Sequence, residues 1–146
     1  KIASGFSMKI ISCDIKEKNY KKKLKKIWEF SDVVSLHIPS KKNKNFFSNK
    51  ILKNIKKPFY LINTSRGDVV DEKFIIQLLK TKKIYGYATD VLNREFNSNF
   101  NIKKNLIFKN RKKYNIIVTP HIGGSTIDAW QLTENRVIKK LIKNYK

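Results

Sequence analysis

The sequence predicts an α/β fold built on a doubly wound parallel sheet. Short apolar runs alternate along the chain with stretches of helical periodicity. Those runs are near-continuous in apolar residues, as strands covered on both faces require. The chemically distinctive residues fall at or just after the C-terminal ends of the runs, the edge where open α/β sheets bind ligands.

Taken in order, Met8-Lys9-Ile10-Ile11-Ser12-Cys13-Asp14 reads as a buried strand ending on an acid. A helix is expected over 22–30, with Leu24, Ile27 and Trp28 at helical spacing. The next strand, 32–37, is stopped by Pro39. Residues 46–55 read as a helix with Phe47, Ile51, Leu52 and Ile55 on one face, and 59–63 as a third strand. A helix over 71–80 turns Phe74, Ile75, Leu78 and Leu79 inward. Strands follow at 85–91 and 115–119, separated by a polar segment, 97–114, expected to be loop with Leu106, Ile107 and Phe108 tucked in. The last helix should run from about 125 to 144, with Ser125, Thr126 and Asp128 supplying its N-cap and first-turn chemistry.

The 146 residues amount to one domain, and 40% hydrophobic content supports a packed core. No apolar run approaches the ~20 residues of a membrane span, and nothing resembles a signal peptide. Cys13 is the one cysteine, so an intrachain disulfide is excluded and packing is its expected role. A cytoplasmic location is the expectation. The net charge of +22 raises nucleic acid as a partner. However, 29 lysines stand against four arginines, whereas recognition of bases and phosphates favours arginine's planar fork. The excess is spread along the chain beside many Asn and Ile, all three with A/T-rich codons. A basic nucleic-acid module is therefore kept only as a lesser alternative, and no nucleic-acid or membrane partner is expected.

Four blocks carry the chemistry: Asp14 after its strand; Asn63-Thr64-Ser65-Arg66-Gly67 running into Val69-Val70-Asp71-Glu72; Thr89-Asp90-Val91-Leu92 leading to Glu95; and Thr119-Pro120-His121-Ile122-Gly123-Gly124-Ser125-Thr126. Singly, each has an ordinary explanation: a loop histidine, a surface arginine beside a glycine, a solvated glutamate, an aspartate capping a turn. Jointly they suit hydride exchange at C2 of a hydroxy acid. Such a reaction needs a proton carrier near neutrality, which histidine provides. It needs a cation with two parallel donors to hold the carboxylate and polarise the carbonyl. It also needs a carboxylate beside the imidazole to set its tautomer. His121, Arg66 and Glu95 fill these roles, and their spacings of 29 and 26 residues are compatible with three successive strand ends. His37 is assigned to structure or to backbone contact with a cofactor, and no metal ligands are assigned.

With these blocks in place, the chain resembles the NAD-binding domain of the D-isomer-specific 2-hydroxyacid dehydrogenases, the family of phosphoglycerate, glycerate, lactate and formate dehydrogenases. The segments at 63–67 and 120–126 are the most specific parts, and the resemblance runs from Gly5-Phe6-Ser7-Met8-Lys9 to the last helix. It implies that Arg66 binds the substrate carboxylate and carbonyl, that His121 is the acid/base and that Glu95 is its partner. It also implies that Asp14 holds the adenosine ribose hydroxyls, so that the cofactor is NAD rather than NADP, and that Asp90 contacts the nicotinamide carboxamide. Ile38, Thr64, Ser65, Gly123 and Gly124 would line the cofactor through their backbone. The partner implied is a 2-hydroxy or 2-oxo acid, with a phosphoglycerate-like acid among the candidates, acting in a homodimer.

The sequence departs from that pattern at its beginning. A Rossmann-type domain opens with a strand and a GxGxxG turn, and no GxGxxG occurs here. Residues 1–146 are therefore expected to be a partial, N-terminally truncated NAD-binding domain, with the first strand, the Gly-rich loop and the separate substrate domain missing. That first strand is central to the sheet, and each buried group it leaves unpaired costs about 1–3 kcal/mol. Poor folding and no turnover are expected of the piece alone. Phe96 stands where the family often has proline, and 97–114 is more basic than usual. The rival within the same fold is a non-catalytic NAD(H)-sensing or corepressor-like domain.

Overall fold

A computed structural model describes residues 2–145. Two helices come first, the short α1 (Ile2–Gly5) and α2 (Tyr20–Phe30). Four strands, β1 (Val33–Leu36), β2 (Phe59–Asn63), β3 (Ile84–Thr89) and β4 (Ile116–Val118), form one sheet in chain order, and every neighbouring pair is parallel. Parallel neighbours cannot be joined by tight hairpins. Each connection is accordingly a crossover with helical structure: a 3-10 helix (Asn49–Asn54), then α3 (Glu72–Lys80), then α4 (Leu106–Asn110). The last helix, α5 (Ile127–Asn144), comes after β4. Among the described residues no helix is long and apolar enough to cross a membrane.

Local chemistry explains the elements. The Asp71 carboxylate accepts from the Lys73 and Phe74 amides at 3.0 and 3.3 Å, capping α3, a bond worth about 1 kcal/mol. The inward face of α3 is Phe74, Ile75, Leu78 and Leu79, as its periodicity requires. Thr126 caps α5 through the Ala129 amide at 3.2 Å. The core lies between α2, α3 and α4 and one face of the sheet. Trp28, Phe47, Phe59 and Phe74 form its aromatic centre, with ring centroids 5.7 to 6.3 Å apart.

The strand register sets where the loops meet. Leu36 pairs with Asn63, Asn63 with Thr89 and Thr89 with Val118. All four strands therefore end at one edge, and the loops that leave them share it.

Several expectations are corrected. Residues 8–14 form no strand, and Met8 and Ile10 are exposed. An extended segment becomes a strand only when a neighbour takes its amides and carbonyls, and no described residue pairs with the free edge of β1. The helix expected over 46–55 is a 3-10 turn over Asn49–Asn54. Phe47 is instead bonded across to the loop after β2: its amide donates to the Val69 carbonyl at 3.0 Å, and its carbonyl accepts from the Asp71 amide at 2.9 Å. The segment 97–114 is more ordered than a loop, because Asn105 caps α4 by accepting from the Phe108 amide at 3.0 Å. The sheet's second face is open among the described residues, with Tyr60, Tyr85 and Ile117 exposed, and α5 buries none of its residues.

Phe47 is fully buried at the centre of the aromatic cluster. Phe47→Ala should therefore lower stability by about 3–5 kcal/mol in equilibrium denaturation; a loss below about 1 kcal/mol would show that the cluster is not the core.

Candidate active site

Three loops leave the ends of β2, β3 and β4 and are hydrogen-bonded to one another. The Asp90 amide donates to the Asn63 carbonyl at 3.1 Å, and the Thr119 amide to the Thr89 carbonyl at 3.0 Å, extending the sheet past its last strand residues. Each loop carries one member of the expected set: Arg66, Glu95 and His121.

The β2 loop is organised by Asn63, which is fully buried. Its Oδ1 accepts from the Ser65 amide and hydroxyl at 3.1 and 2.8 Å, and its Nδ2 donates to the Arg66 carbonyl at 3.0 Å. The turn so closed leaves Arg66 exposed, its Nη1 donating to the Ser65 carbonyl at 2.7 Å. Gly67 must be glycine for a steric reason: a Cβ there would collide with the Leu92 carbonyl and the Asn93 nitrogen. The arginine turn is thus in backbone contact with the loop that carries Glu95.

That second loop is held from beneath. Glu72 accepts from the Asn93 amide at 3.1 Å and from Asn105 Nδ2 at 2.8 and 3.1 Å, joining it to α3 and α4. Arg94 adopts a left-handed φ of 61°, which tightens the turn so that Glu95 folds back. Its Oε2 accepts from the Leu92 amide at 3.0 Å, and its Oε1 lies 2.8 Å from His121 Nδ1.

His121 owes its position to Asp90. This buried carboxylate accepts from the Thr119 hydroxyl at 2.5 Å, the Ile122 amide at 3.0 Å and the Gly123 amide at 2.8 Å. Capture of two successive amides by one carboxylate forces a sharp turn, and His121 enters the left-handed region at φ 53°, a conformation that costs a non-glycine residue energy. Burial would by itself raise the Asp90 carboxyl. The hydrogen bonds from Thr119, Gly123 and Ile122 and the neighbouring His121 outweigh that penalty and hold it below the usual carboxylate range.

The imidazole is half-buried, and Glu95 engages its Nδ1. Such a pairing directs Nε2 to serve as the working nitrogen. Phe96 packs its ring 5.4 Å from the imidazole, and Glu95 and His121 also border an open, largely apolar cavity of about 300 Å³ with Leu92, Phe108 and Val118.

The edge fits a dinucleotide in part. Thr64, Ser65, Gly123 and Gly124 lie along it, and a side chain at Gly124 would meet nothing within 4 Å, so a ligand can approach the backbone closely. Ile38 comes after β1 at the same edge and is half-buried. Asp14 stands apart from these bonded loops: it is exposed, and its Oδ1 accepts from the Lys16 amide at 2.8 Å in a local turn. His37 bonds the Ser35 hydroxyl at 2.8 Å, and Cys13 is half-buried against the Tyr20 carbonyl. Sequence reasoning assigned no role to Asn63, Glu72, Asn105 or Thr119, which hold the three loops in place. Asn63 and Glu72 sit inside the two motifs flanking Arg66, the signal that could have found them.

The chain is similar to known proteins over most of its length. The model of the D-isomer specific 2-hydroxyacid dehydrogenase NAD-binding domain matches residues 1–123. The D-3-phosphoglycerate dehydrogenase of Haemophilus influenzae is 36% identical over 149 residues, covering 97% of this chain and 36% of that protein. The glycerate dehydrogenase of Methylorubrum extorquens is 32% identical, covering 94% of this chain and 43% of that protein. Among solved structures, the D-lactate dehydrogenase of Aquifex aeolicus complexed with NAD and lactic acid matches with a TM-score of 0.74 and 28% identity, over 98% of this chain and 49% of that one. The chain thus spans less than half the length of these proteins.

The parallel sheet and the family match define the class: a Rossmann-like, NAD-binding domain. This chain belongs to the D-isomer-specific 2-hydroxyacid dehydrogenase family, as its NAD-binding domain.

Because the native Asp90 carboxyl is held low, its stabilisation is present above the ordinary carboxylate range and is lost as pH falls through the lowered native value. Asp90→Asn should remove that acid dependence and speed hydrogen exchange at the Ile122 and Gly123 amides by about tenfold or more, the scale of one lost charge-assisted bond. Unchanged exchange would show that the loop is held by other means.

Proposed function

We propose that the protein carrying this domain is an NAD-dependent D-2-hydroxyacid dehydrogenase, exchanging a hydride between NAD(H) and C2 of a D-2-hydroxy or 2-oxo acid. The observation that carries the reading is the 2.8 Å pair of Glu95 and His121, set beside the Arg66 turn by three mutually bonded loops. NAD held along this edge would supply the hydride acceptor or donor. His121 accepts the C2 hydroxyl proton through Nε2 as the alcohol is oxidised, and returns it to the oxygen in the reverse direction. Glu95 holds the imidazole in the orientation and tautomer this needs. Arg66 offers two parallel donors to the carboxylate and polarises the adjoining carbonyl. In this reading Asp14 holds the adenosine ribose, Asp90 presents its remaining lone pairs to the carboxamide, and Ile38, Thr64, Ser65, Gly123 and Gly124 line the cofactor.

A phosphoglycerate-like acid is one candidate substrate. A relative named for that acid is 36% identical over 149 residues and aligns over 97% of the chain. The same reading places residues 1–146 as the cofactor domain beside a separate substrate domain, in a cytoplasmic homodimer.

The test is a panel of 2-oxo acids with NADH on the full-length protein and two variants. His121→Ala should lower kcat by about 10²–10⁴-fold with NADH affinity little changed; unaltered turnover would remove its acid/base role. Arg66→Ala should chiefly raise KM for the 2-oxo acid, and an unaltered KM would contradict the clamp.

A further inference from the structure

We propose that Asp68 is a positioning residue for Arg66, acting through a clasp with Ser40 that ties the loop after β1 to the loop after β2. The Ser40 hydroxyl donates to Asp68 Oδ2 at 2.6 Å, across 28 residues of sequence. The Asp68 carbonyl accepts from the Asn45 amide at 2.8 Å, so the residue is gripped through both side chain and main chain by the same neighbouring loop. The bridge between Phe47 and Val70 continues the seam, and Asn43 Nδ2 closes the β1 loop onto the Pro39 carbonyl at 2.8 Å.

Arg66 lies two residues before Asp68, at the entry to a short 3-10 turn (Gly67–Val69). The Arg66 carbonyl accepts from Asn63 Nδ2 on the upstream side at 3.0 Å and from the Val69 amide on the downstream side at 3.3 Å. On its downstream side the side-chain tether within the turn is the clasp. A short bond from a hydroxyl to a carboxylate is among the stronger hydrogen bonds a protein makes. It joins two loops that leave neighbouring strands at the ligand-binding edge. A shift of the loop that begins at Ile38, where the cofactor is expected, is thereby transmitted to the turn that sets the arginine. Small misplacements of a substrate-holding group carry large kinetic costs. The inference rests on the reading of Arg66 as the substrate clamp.

The test uses Asp68→Ala, Ser40→Ala, the double variant and Asp68→Asn in the full-length protein. Asp68→Ala should raise KM for the 2-oxo acid roughly tenfold, the scale of one lost charge-assisted bond, while kcat falls far less. Asp68→Asn keeps a neutral acceptor for Ser40 and should recover part of the lost affinity, giving a KM between those of Asp68→Ala and the unaltered protein. Ser40→Ala should reproduce Asp68→Ala, and the double variant should add little to either. An unchanged KM, no rescue by Asn, or full additivity would each overturn the positioning role. Hydrogen exchange at the Asn45 and Val69 amides supplies a second readout that needs no turnover. Faster exchange in Asp68→Ala and Ser40→Ala supports the clasp, and unchanged exchange refutes it. A full-length protein that reduces no 2-oxo acid while exchange responds to both variants would refute the functional reading and leave the clasp standing.

Discussion

The Asp90 carboxylate is the interaction on which the site depends. It sits at the end of β3 and accepts three hydrogen bonds from the loop after β4. Two of these come from consecutive amides, and their capture holds His121 at a left-handed φ that a free chain populates only sparsely. The histidine ring then meets Glu95, which the β3 loop has folded back by its own tight turn. The energy that holds the conformation is electrostatic and local, within a part of the molecule that is otherwise loop. This explains how a half-buried imidazole on an exposed segment can be oriented at all.

Beneath that interaction lies a hierarchy of supports. Parallel register brings the strand ends to one edge. Asn63, through a buried amide, and Glu72, through a half-buried carboxylate, then lock the arginine and glutamate loops, while Gly67 lets the two backbones touch. These polar groups are satisfied, and a satisfied buried network rigidifies what it touches. The site has rigid backing on the side of α3 and α4. Its other side faces the open edge where cofactor and substrate are expected.

Much of the fold was legible in the sequence because its signals are local. The apolar runs at 33–36, 59–63, 84–89 and 116–118 and the period of α3 mark elements whose burial comes from their own composition. The misreadings share one physical cause. Residues 8–14 have a strand's composition, but a strand exists only with a hydrogen-bonding neighbour. Phe47 has a helical residue's spacing, but its backbone is engaged by Val69 and Asp71. Whether an apolar run pairs, coils or bridges is settled by what lies beside it.

The sequence by itself determined the family, the cofactor class and the choice of Arg66, Glu95 and His121 as candidates, because residue type and motif order encode chemistry directly. Tertiary structure alone decided that Glu95 reaches His121 Nδ1, that Asp90 shapes the histidine turn, and that Asp68 is bound to Ser40. Each of these contacts joins residues 26 to 33 positions apart in the chain. They form only when the parallel crossovers have delivered separate strand ends to a common edge, and no local pattern records that meeting.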